Sequence, residues 1–192
     1  MAPEDRIVDE APRDAAVEEI PRLLLSSSEE TLLCLIENPS FDESHVCLLL
    51  ERKDLSATVL GAIASRKQWR GTYRVRLALA AHPHTPRLAA MRALRDLHLL
   101  DLVRISLLPA SAGELRRLAE QRILAQLPQL PLGQRIMLAR RGSARVAASL
   151  IEHGPEQVAR IALDNPFLNE GQLLKTLSKD SLPARIVMSV AC

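Results

Sequence analysis

Residues 160–166 read Arg160-Ile161-Ala162-Leu163-Asp164-Asn165-Pro166, an apolar stretch that runs into a proline turn. The same phrase returns with variations at residues 33–39, 77–83 and 103–109, and each copy ends in proline. Self-similarity of this kind indicates a stack of similar supersecondary units rather than a globule closed around one centre. The phrase therefore predicts a repeat protein.

The residues that follow these prolines predict where helices begin. A side chain able to cap a helix comes two or three residues after each proline, and such a side chain accepts a free amide of the first turn. Leu and Ala dominate the apolar stretches, while aromatic residues make up 2% of the chain. This composition favours helix over sheet. The predicted caps are Asp42, Thr85, Ser111 and Asn169.

The fold class predicted from these signals is all-α, an α-solenoid of about six to seven irregular helical units. Each unit leaves apolar flanks that a neighbouring unit must cover. The solenoid is expected to occupy residues 14–192 as a single domain, after a flexible acidic tail at residues 1–13. Interior positions are expected to include Leu35, Ile105 and Leu174.

Two longer runs resemble a known repeat family. Residues 164–177 resemble the leucine-rich repeat variant family and, more broadly, HEAT-like repeats, and residues 73–86 are a second match. Together with residues 130–133 and 138–141, these runs look similar to a group of uncharacterised bacterial repeat proteins. The resemblance implies a right-handed superhelix of helical repeats over roughly residues 28–192, and it implies no enzymatic activity.

The charge of the chain is distributed unevenly. The formal net charge is only +2 at pH 7. Residues 66–145, however, hold sixteen basic residues against four acidic ones, a net charge of +12, whereas residues 1–65 are acidic. A basic stripe along stacked helices could accept a nucleic-acid backbone or an acidic protein surface. Three structural interpretations remain open. Arg side chains could pack or bond helix-end carbonyls, their stems could cover apolar surface, or the acidic residues 1–65 could neutralise the stripe within the molecule or between copies.

The candidate binding surface consists of arginines from that basic segment and two aromatic residues beside them. Trp69 is expected to anchor packing between units more than to stack on a base. The predicted surface residues are Arg66, Arg70, Arg74, Arg92, Arg95, Arg116, Arg117, Arg140, Arg141, Arg145, Trp69 and Tyr73.

The sequence carries no motif for catalysis or for a cofactor. It has no Gly-x-Ser-x-Gly turn and no glycine-rich loop that follows a strand. Cys34, His45, Cys47, His82 and His84 lack the paired spacing of four ligands that a structural zinc site needs. One member of the leucine-rich repeat variant family binds an iron–sulfur cluster through closely spaced cysteines. Cys34 and Cys47 are isolated in this sequence, so we do not expect such a cluster here. We therefore predict no catalytic, cofactor-binding or metal-binding residues.

The predicted function is a non-enzymatic protein–protein interaction scaffold with an unidentified protein partner. The first alternative is binding of nucleic acid or another polyanion, and a weaker one is a helical-repeat enzyme that acts on nucleic acid. We expect residues 186–192 to form either a degenerate cap or an edge for self-association. The absence of a membrane-length apolar run and of a signal-peptide pattern, with three cysteines at no framework spacing, predicts a cytoplasmic protein without membrane contact.

Overall fold

The computed structural model describes residues 13, 15–25, 28–109 and 113–177, and the regular structure in these ranges is helical throughout, with no strand. The prediction of an all-α fold is confirmed. The chain forms two compact units, Met1–Ala93 and Leu94–Cys192. Of the predicted acidic tail, only Arg13 is among the described residues. Ser111 and residues 186–192 lie outside them.

Seven of the described helices begin in the first unit, and short turns connect them. Helix α1 packs against α2 and α3, α2 packs against α4, and α3 packs against α6. Buried Leu, Ile and Val side chains fill the spaces between them. The helices are α1 Ile20–Leu24, α2 Glu29–Glu37, α3 Glu43–Leu49, α4 Ala57–Ser65, α5 Lys67–Arg70, α6 Tyr73–Ala81 and α7 Arg87–Arg95.

The second unit holds the other six described helices. Helix α8 packs against α9, and α10, α11 and α12 contact one another, while α11 also contacts α9 and α13. A short 3-10 turn, Leu127–Gln129, follows α9. The helices are α8 Leu99–Leu107, α9 Gly113–Gln126, α10 Leu132–Arg141, α11 Ala144–His153, α12 Glu156–Leu163 and α13 Glu170–Leu177.

Two of the predicted helix caps are confirmed and a third is wrong. The Asp42 carboxylate accepts the backbone N–H of His45 at 3.1 Å, and Asn169 accepts the N–H of Gln172 at 2.8 Å. Thr85 does not cap α7. Its buried hydroxyl donates to the carbonyl oxygen of Leu79 at 2.7 Å, and α7 begins two residues later, at Arg87. The hydroxyl therefore ties the turn back to the end of α6, where a helix-end carbonyl needs a donor.

The predicted core is partly confirmed. Leu35 and Ile105 are fully buried, but Leu174 is 61% exposed. In α13 the half-buried side belongs to Gln172 and Leu173. Because consecutive residues of an α-helix are separated by about 100°, the next residue turns away from that side.

In three of the four proline turns, a buried polar side chain ties the turn to backbone far earlier in the chain. In the second unit, the Asn165 side-chain amide donates to the carbonyl oxygens of Ala139 at 2.8 Å and Gly142 at 3.0 Å. Its oxygen accepts the N–H of Phe167 at 2.8 Å. One side chain thus closes its own turn and fastens that turn to the end of α10.

The first unit contains the same arrangement at Asn38. Its side-chain nitrogen donates to the carbonyl oxygen of Ala15 at 3.0 Å, 23 residues earlier, and its oxygen accepts the N–H of Ser40 at 2.7 Å. Asn38 and Asn165 are both buried. The two asparagines of the repeated phrase therefore perform the same structural task in different units.

His82 takes this position in the proline turn that follows α6. Its Nε2 lies 2.6 Å from the carbonyl oxygen of Arg52, and its Nδ1 accepts the N–H of His84 at 3.2 Å. A carbonyl can only accept, so Nε2 carries the proton and Nδ1 carries none. The geometry therefore selects one neutral tautomer of His82.

We expect the protein to lose stability in mild acid because of His82. The pKa of His82 is lowered from its ordinary value of 6.5, mainly because the ring is buried. The hydrogen bond to the Arg52 carbonyl and the charge of Asp54 oppose this shift, while electrostatic interactions with Lys53 and His84 add to it. Below pH 6.5, His82 therefore binds a proton in the unfolded chain but stays neutral in the folded chain until a lower pH is reached. The contribution of His82 is complete above pH 6.5 and is lost as the pH falls towards the pKa of the folded state.

Urea unfolding at pH 5.0 and pH 7.5 measures this effect. In His82→Asn, which has the side chain of the other two turns, the difference between the two pH values should shrink. His153→Asn removes an exposed histidine and should leave the difference unchanged. A His82→Asn variant with the full pH dependence of the wild type would contradict the assignment.

Candidate functional site

The twelve residues of the predicted binding surface divide equally between the two units, six in each. Most of its arginines are exposed to solvent. Nine of the ten arginines are exposed, and the tenth, Arg66, is half-buried with its guanidinium 3.5 Å from the Glu37 carboxylate. Arg70 donates to the carbonyl oxygen of Ser65 at 3.1 Å. The guanidinium of Arg74 lies close enough to Cys47 to oppose the rise in the thiol pKa that burial causes.

The two aromatic residues of the predicted surface have different positions. Trp69 is only 4% exposed and meets the Phe41 ring edge-on, with 5.7 Å between the ring centroids. It therefore contributes to packing in the first unit, and its face is not available to a base. Tyr73 is half-buried, and the Arg76 guanidinium lies 5.8 Å from its ring centroid, within range of a cation–π interaction.

Helix α7 exposes two large apolar side chains next to two arginines. Ala90 and Ala93 are buried, whereas Leu88 is 68% exposed and Met91 is 41% exposed. Residues three and four apart are neighbours on a helix surface, so Leu88, Met91 and Arg92 lie together, with Arg87 beside Met91. All four are exposed. We call Arg87, Leu88, Met91 and Arg92 the α7 face.

The second unit contains a cleft of about 560 Å³ that brings three of the predicted arginines together. Arg116 and Arg117 come from α9, and Arg145 comes from the first turn of α11. The cleft also holds Glu120, whose carboxylate lies 3.8 Å from the Arg145 guanidinium. We call this space the α11 cleft. Its volume is in the range of small-ligand sites, about 300–1,000 Å³.

Ser143 stands where α11 begins and lines the α11 cleft. Its side chain makes no capping hydrogen bond. The residue is only 6% exposed, and its buried hydroxyl has no hydrogen-bond partner among the described residues. An N-terminal serine normally accepts an amide of the first turn. At the start of α11, neither the Ser143 hydroxyl nor a capping side chain satisfies the first-turn amides, and the hydroxyl itself makes no hydrogen bond to a described residue.

One of the candidate ligand side chains, His45, forms part of a helix cap. His45 completes a capping box with Asp42, in which its Nδ1 accepts the Asp42 N–H at 3.3 Å. The backbone N–H that His45 donates to the Asp42 carboxylate lowers the pKa of Asp42. Cys34 is free and exposed, and Cys47 is free and half-buried. No group of three or more His, Cys, Asp or Glu residues within the described ranges is placed to hold a metal ion.

Sequence reasoning missed several residues of the α11 cleft. Glu120 reads as ordinary surface charge, and Ser143 after Gly142 reads as an ordinary helix start. Phe167 lies beside the Asn165–Pro166 turn yet lines the same cleft. The five-residue pattern Arg-Arg-x-x-Glu at residues 116–120 could have marked one wall. No short stretch of sequence indicates that α9, α11 and the turn after α12 lie next to one another in the fold.

Comparison with protein-family models, with curated proteins and with solved structures found no match to this chain. Among the described residues, no helix has both the length and the apolar character needed to cross a bilayer.

Proposed function

We propose that this chain is a non-enzymatic scaffold of leucine-rich-repeat-variant or HEAT-like helical units, and that its α7 face binds an acidic, amphipathic segment of a partner protein. The observation that carries the proposal is the exposure of Leu88 and Met91 between arginines. The free thiols of Cys34 and Cys47 are consistent with a reduced, cytoplasmic compartment.

The long-range bonds of Asn38 and Asn165 support the repeat part of the proposal. Each connects a proline turn to backbone 23 or more residues earlier, about the length of one repeated unit. A solenoid is stabilised by contacts between successive helix pairs, and these two bonds make such contacts from the same position of the repeated phrase. Proteins with this construction act through extended surfaces.

The chemistry of the α7 face defines the class of partner. Exposed Leu and Met give an apolar contact that can adapt to the shape of a partner. The helix sequence contains three arginines and no acidic residue, so a segment with Asp or Glu beside its apolar side chains is complementary in charge. An amphipathic helix places such residues three and four apart and fits along one helix face.

Selection from a random peptide library tests this proposal. We expect the wild-type protein to select peptides that combine apolar residues with Asp or Glu. Leu88→Ser with Met91→Ser, and separately Arg92→Glu, should weaken their binding by about tenfold or more, because contacts at the centre of an interface dominate affinity. Circular dichroism checks that each variant is folded.

Matched changes elsewhere on the surface provide the control. Leu132 is exposed on α10 and Arg140 is exposed near the end of the same helix. Leu132→Ser and Arg140→Glu should leave the affinity unchanged. Selected peptides without acidic enrichment, or equal losses in the control variants, would overturn the proposal.

Nucleic acid is the second candidate ligand, favoured by the nine exposed arginines. A single-stranded oligonucleotide is therefore titrated beside the peptides. Its affinity should fall with salt by about 0.7 logarithmic units per contacted phosphate for each tenfold rise in salt concentration. Tight oligonucleotide binding with that salt dependence, lost in Arg140→Glu with Arg141→Glu and unaffected by the α7 variants, would replace the scaffold proposal.

A further inference from the structure

We infer that the α11 cleft is a binding site for an organic phosphate monoester. Three arginines, a helix N-terminus without a side-chain cap and a buried hydroxyl without a partner meet in this one cleft of the second unit. The inference is independent of the α7 face, which belongs to the first unit.

The charge of the cleft matches a dianion. Arg116, Arg117 and Arg145 contribute three positive charges and Glu120 contributes one negative charge, so two positive charges are in excess. Arg116 and Arg117 form no ion pair with a described residue, and the contact between Arg145 and Glu120 is long at 3.8 Å. A phosphate monoester carries about −1.5 to −2 at pH 7, whereas each phosphodiester of a nucleic acid carries one negative charge. Arginine also binds phosphate oxygens through paired N–H groups.

The start of α11 adds neutral donors to these charges. A helix of ten residues directs its unpaired first-turn N–H groups towards its N-terminus, where they and the helix dipole favour an anion. The Ser143 hydroxyl gives a second indication of a ligand, separate from the arginines and the helix N-terminus. It is shielded from water and has no partner in the described chain, and an unsatisfied buried hydroxyl destabilises a protein. A phosphate oxygen at this helix start would accept its hydrogen.

Phe167 indicates that the ligand has an organic part. Its side chain lines the cleft and is half exposed, and the Asn165 side chain accepts its N–H at 2.8 Å. The turn therefore holds an aromatic ring beside the cationic groups. An apolar substituent on the phosphate could pack against this ring, which a bare inorganic anion could not do.

Calorimetric titration of the full chain with small phosphates tests the inference. Phenyl phosphate should bind more tightly than methyl phosphate, and both should bind more tightly than benzoate, which carries a single charge. Arg116→Gln with Arg117→Gln should weaken phenyl phosphate binding by roughly tenfold or more. Phe167→Ala should remove the preference for phenyl over methyl phosphate. Arg140→Gln with Arg141→Gln, an adjacent pair outside the cleft, is the matched control and should bind as the wild type does.

Ser143→Ala separates a ligand-binding role from a structural one. Because the hydroxyl makes no bond in the free protein and its burial without a partner is unfavourable, this variant should be at least as stable as the wild type yet bind phenyl phosphate several-fold more weakly. Ser56→Ala is its control. Ser56 does cap α4, where it accepts the Val59 N–H at 3.3 Å, so its loss should lower the melting temperature and leave phosphate affinity unchanged.

Comparing a phosphorylated peptide with phenyl phosphate distinguishes two sources of the phosphate group, a modified protein and a small metabolite. Binding of a phosphorylated peptide more tightly than phenyl phosphate assigns the site to a modified protein side chain, and the reverse assigns it to a free metabolite. Both results support the inference. Equal affinity for benzoate and phenyl phosphate, or affinity that survives the Arg116/Arg117 change, would overturn it. An oligonucleotide that binds through these residues more tightly than any monoester would also overturn it.

Discussion

Replacing Asn165 with alanine is expected to lower the free energy of unfolding by about 3 kcal/mol. The change removes the donor to the carbonyl oxygens of Ala139 and Gly142 and the acceptor for the Phe167 N–H. These groups lie in a buried turn, so water cannot easily replace the lost partners. A buried polar group without a partner costs about 1–3 kcal/mol, and here several are affected at once.

Urea unfolding monitored by circular dichroism measures this loss. Asn169→Ala is the matched control, because Asn169 also accepts one backbone N–H but is exposed at the start of α13. Its loss should be near the 1 kcal/mol typical of a helix cap. Asn165→Asp should be at least as destabilised as the alanine variant at pH 7, since it places a carboxylate against two carbonyl oxygens. A loss at Asn165 no larger than that at Asn169 would contradict the assigned role.

Replacing Gly154 with alanine is expected to lower the free energy of unfolding by about 2–3 kcal/mol. Gly154 ends α11 with an ordinary φ of −83°, so conformational freedom does not explain the glycine. The reason is space. A methyl group at this position would overlap the carbonyl oxygen of Leu150. Because that oxygen is backbone, the end of α11 would have to open to admit the methyl group.

Gly133 provides the opposite expectation within the same unit. It lies inside α10, and a methyl group there would meet no heavy atom within 4 Å. Gly133→Ala should therefore raise the free energy of unfolding by about 0.5–1 kcal/mol, because alanine loses less backbone entropy in a helix. Thermal unfolding of both variants checks the pair. Equal shifts of the same sign would show that the close approach at Gly154 is not a constraint.

The sequence predicted the helical elements well because their signals are local. The proline after Asn38 pushes that residue out of the helical region, and α2 accordingly ends at Glu37. Asp42 and Asn169 cap the helices that follow them. The prediction failed at Thr85 because α7 begins two residues later, at Arg87. The Thr85 hydroxyl donates instead to the Leu79 carbonyl oxygen, a contact that depends on how the turn folds back on α6.

The α11 cleft could not have been found in the same way. The basic charge of the segment is plain in the sequence, but ten arginines looked equivalent there. Three of them are distinguished by a meeting of α9, α11 and the turn after α12. Likewise, no local pattern separates Ser143, whose hydroxyl is unused, from Ser56, whose hydroxyl caps α4.

The order of residues alone determined that this chain is helical, where many of its helices begin and end, and that its arginines concentrate in residues 66–145. These properties follow from contacts within a few residues, which spacing and residue type specify. Tertiary structure decided that Trp69 is buried, that Leu88 and Met91 are exposed, and which arginines share a cleft with Ser143. Those outcomes depend on which distant helices pack together, and the free energy of that packing is a sum over many weak contacts that no short segment encodes.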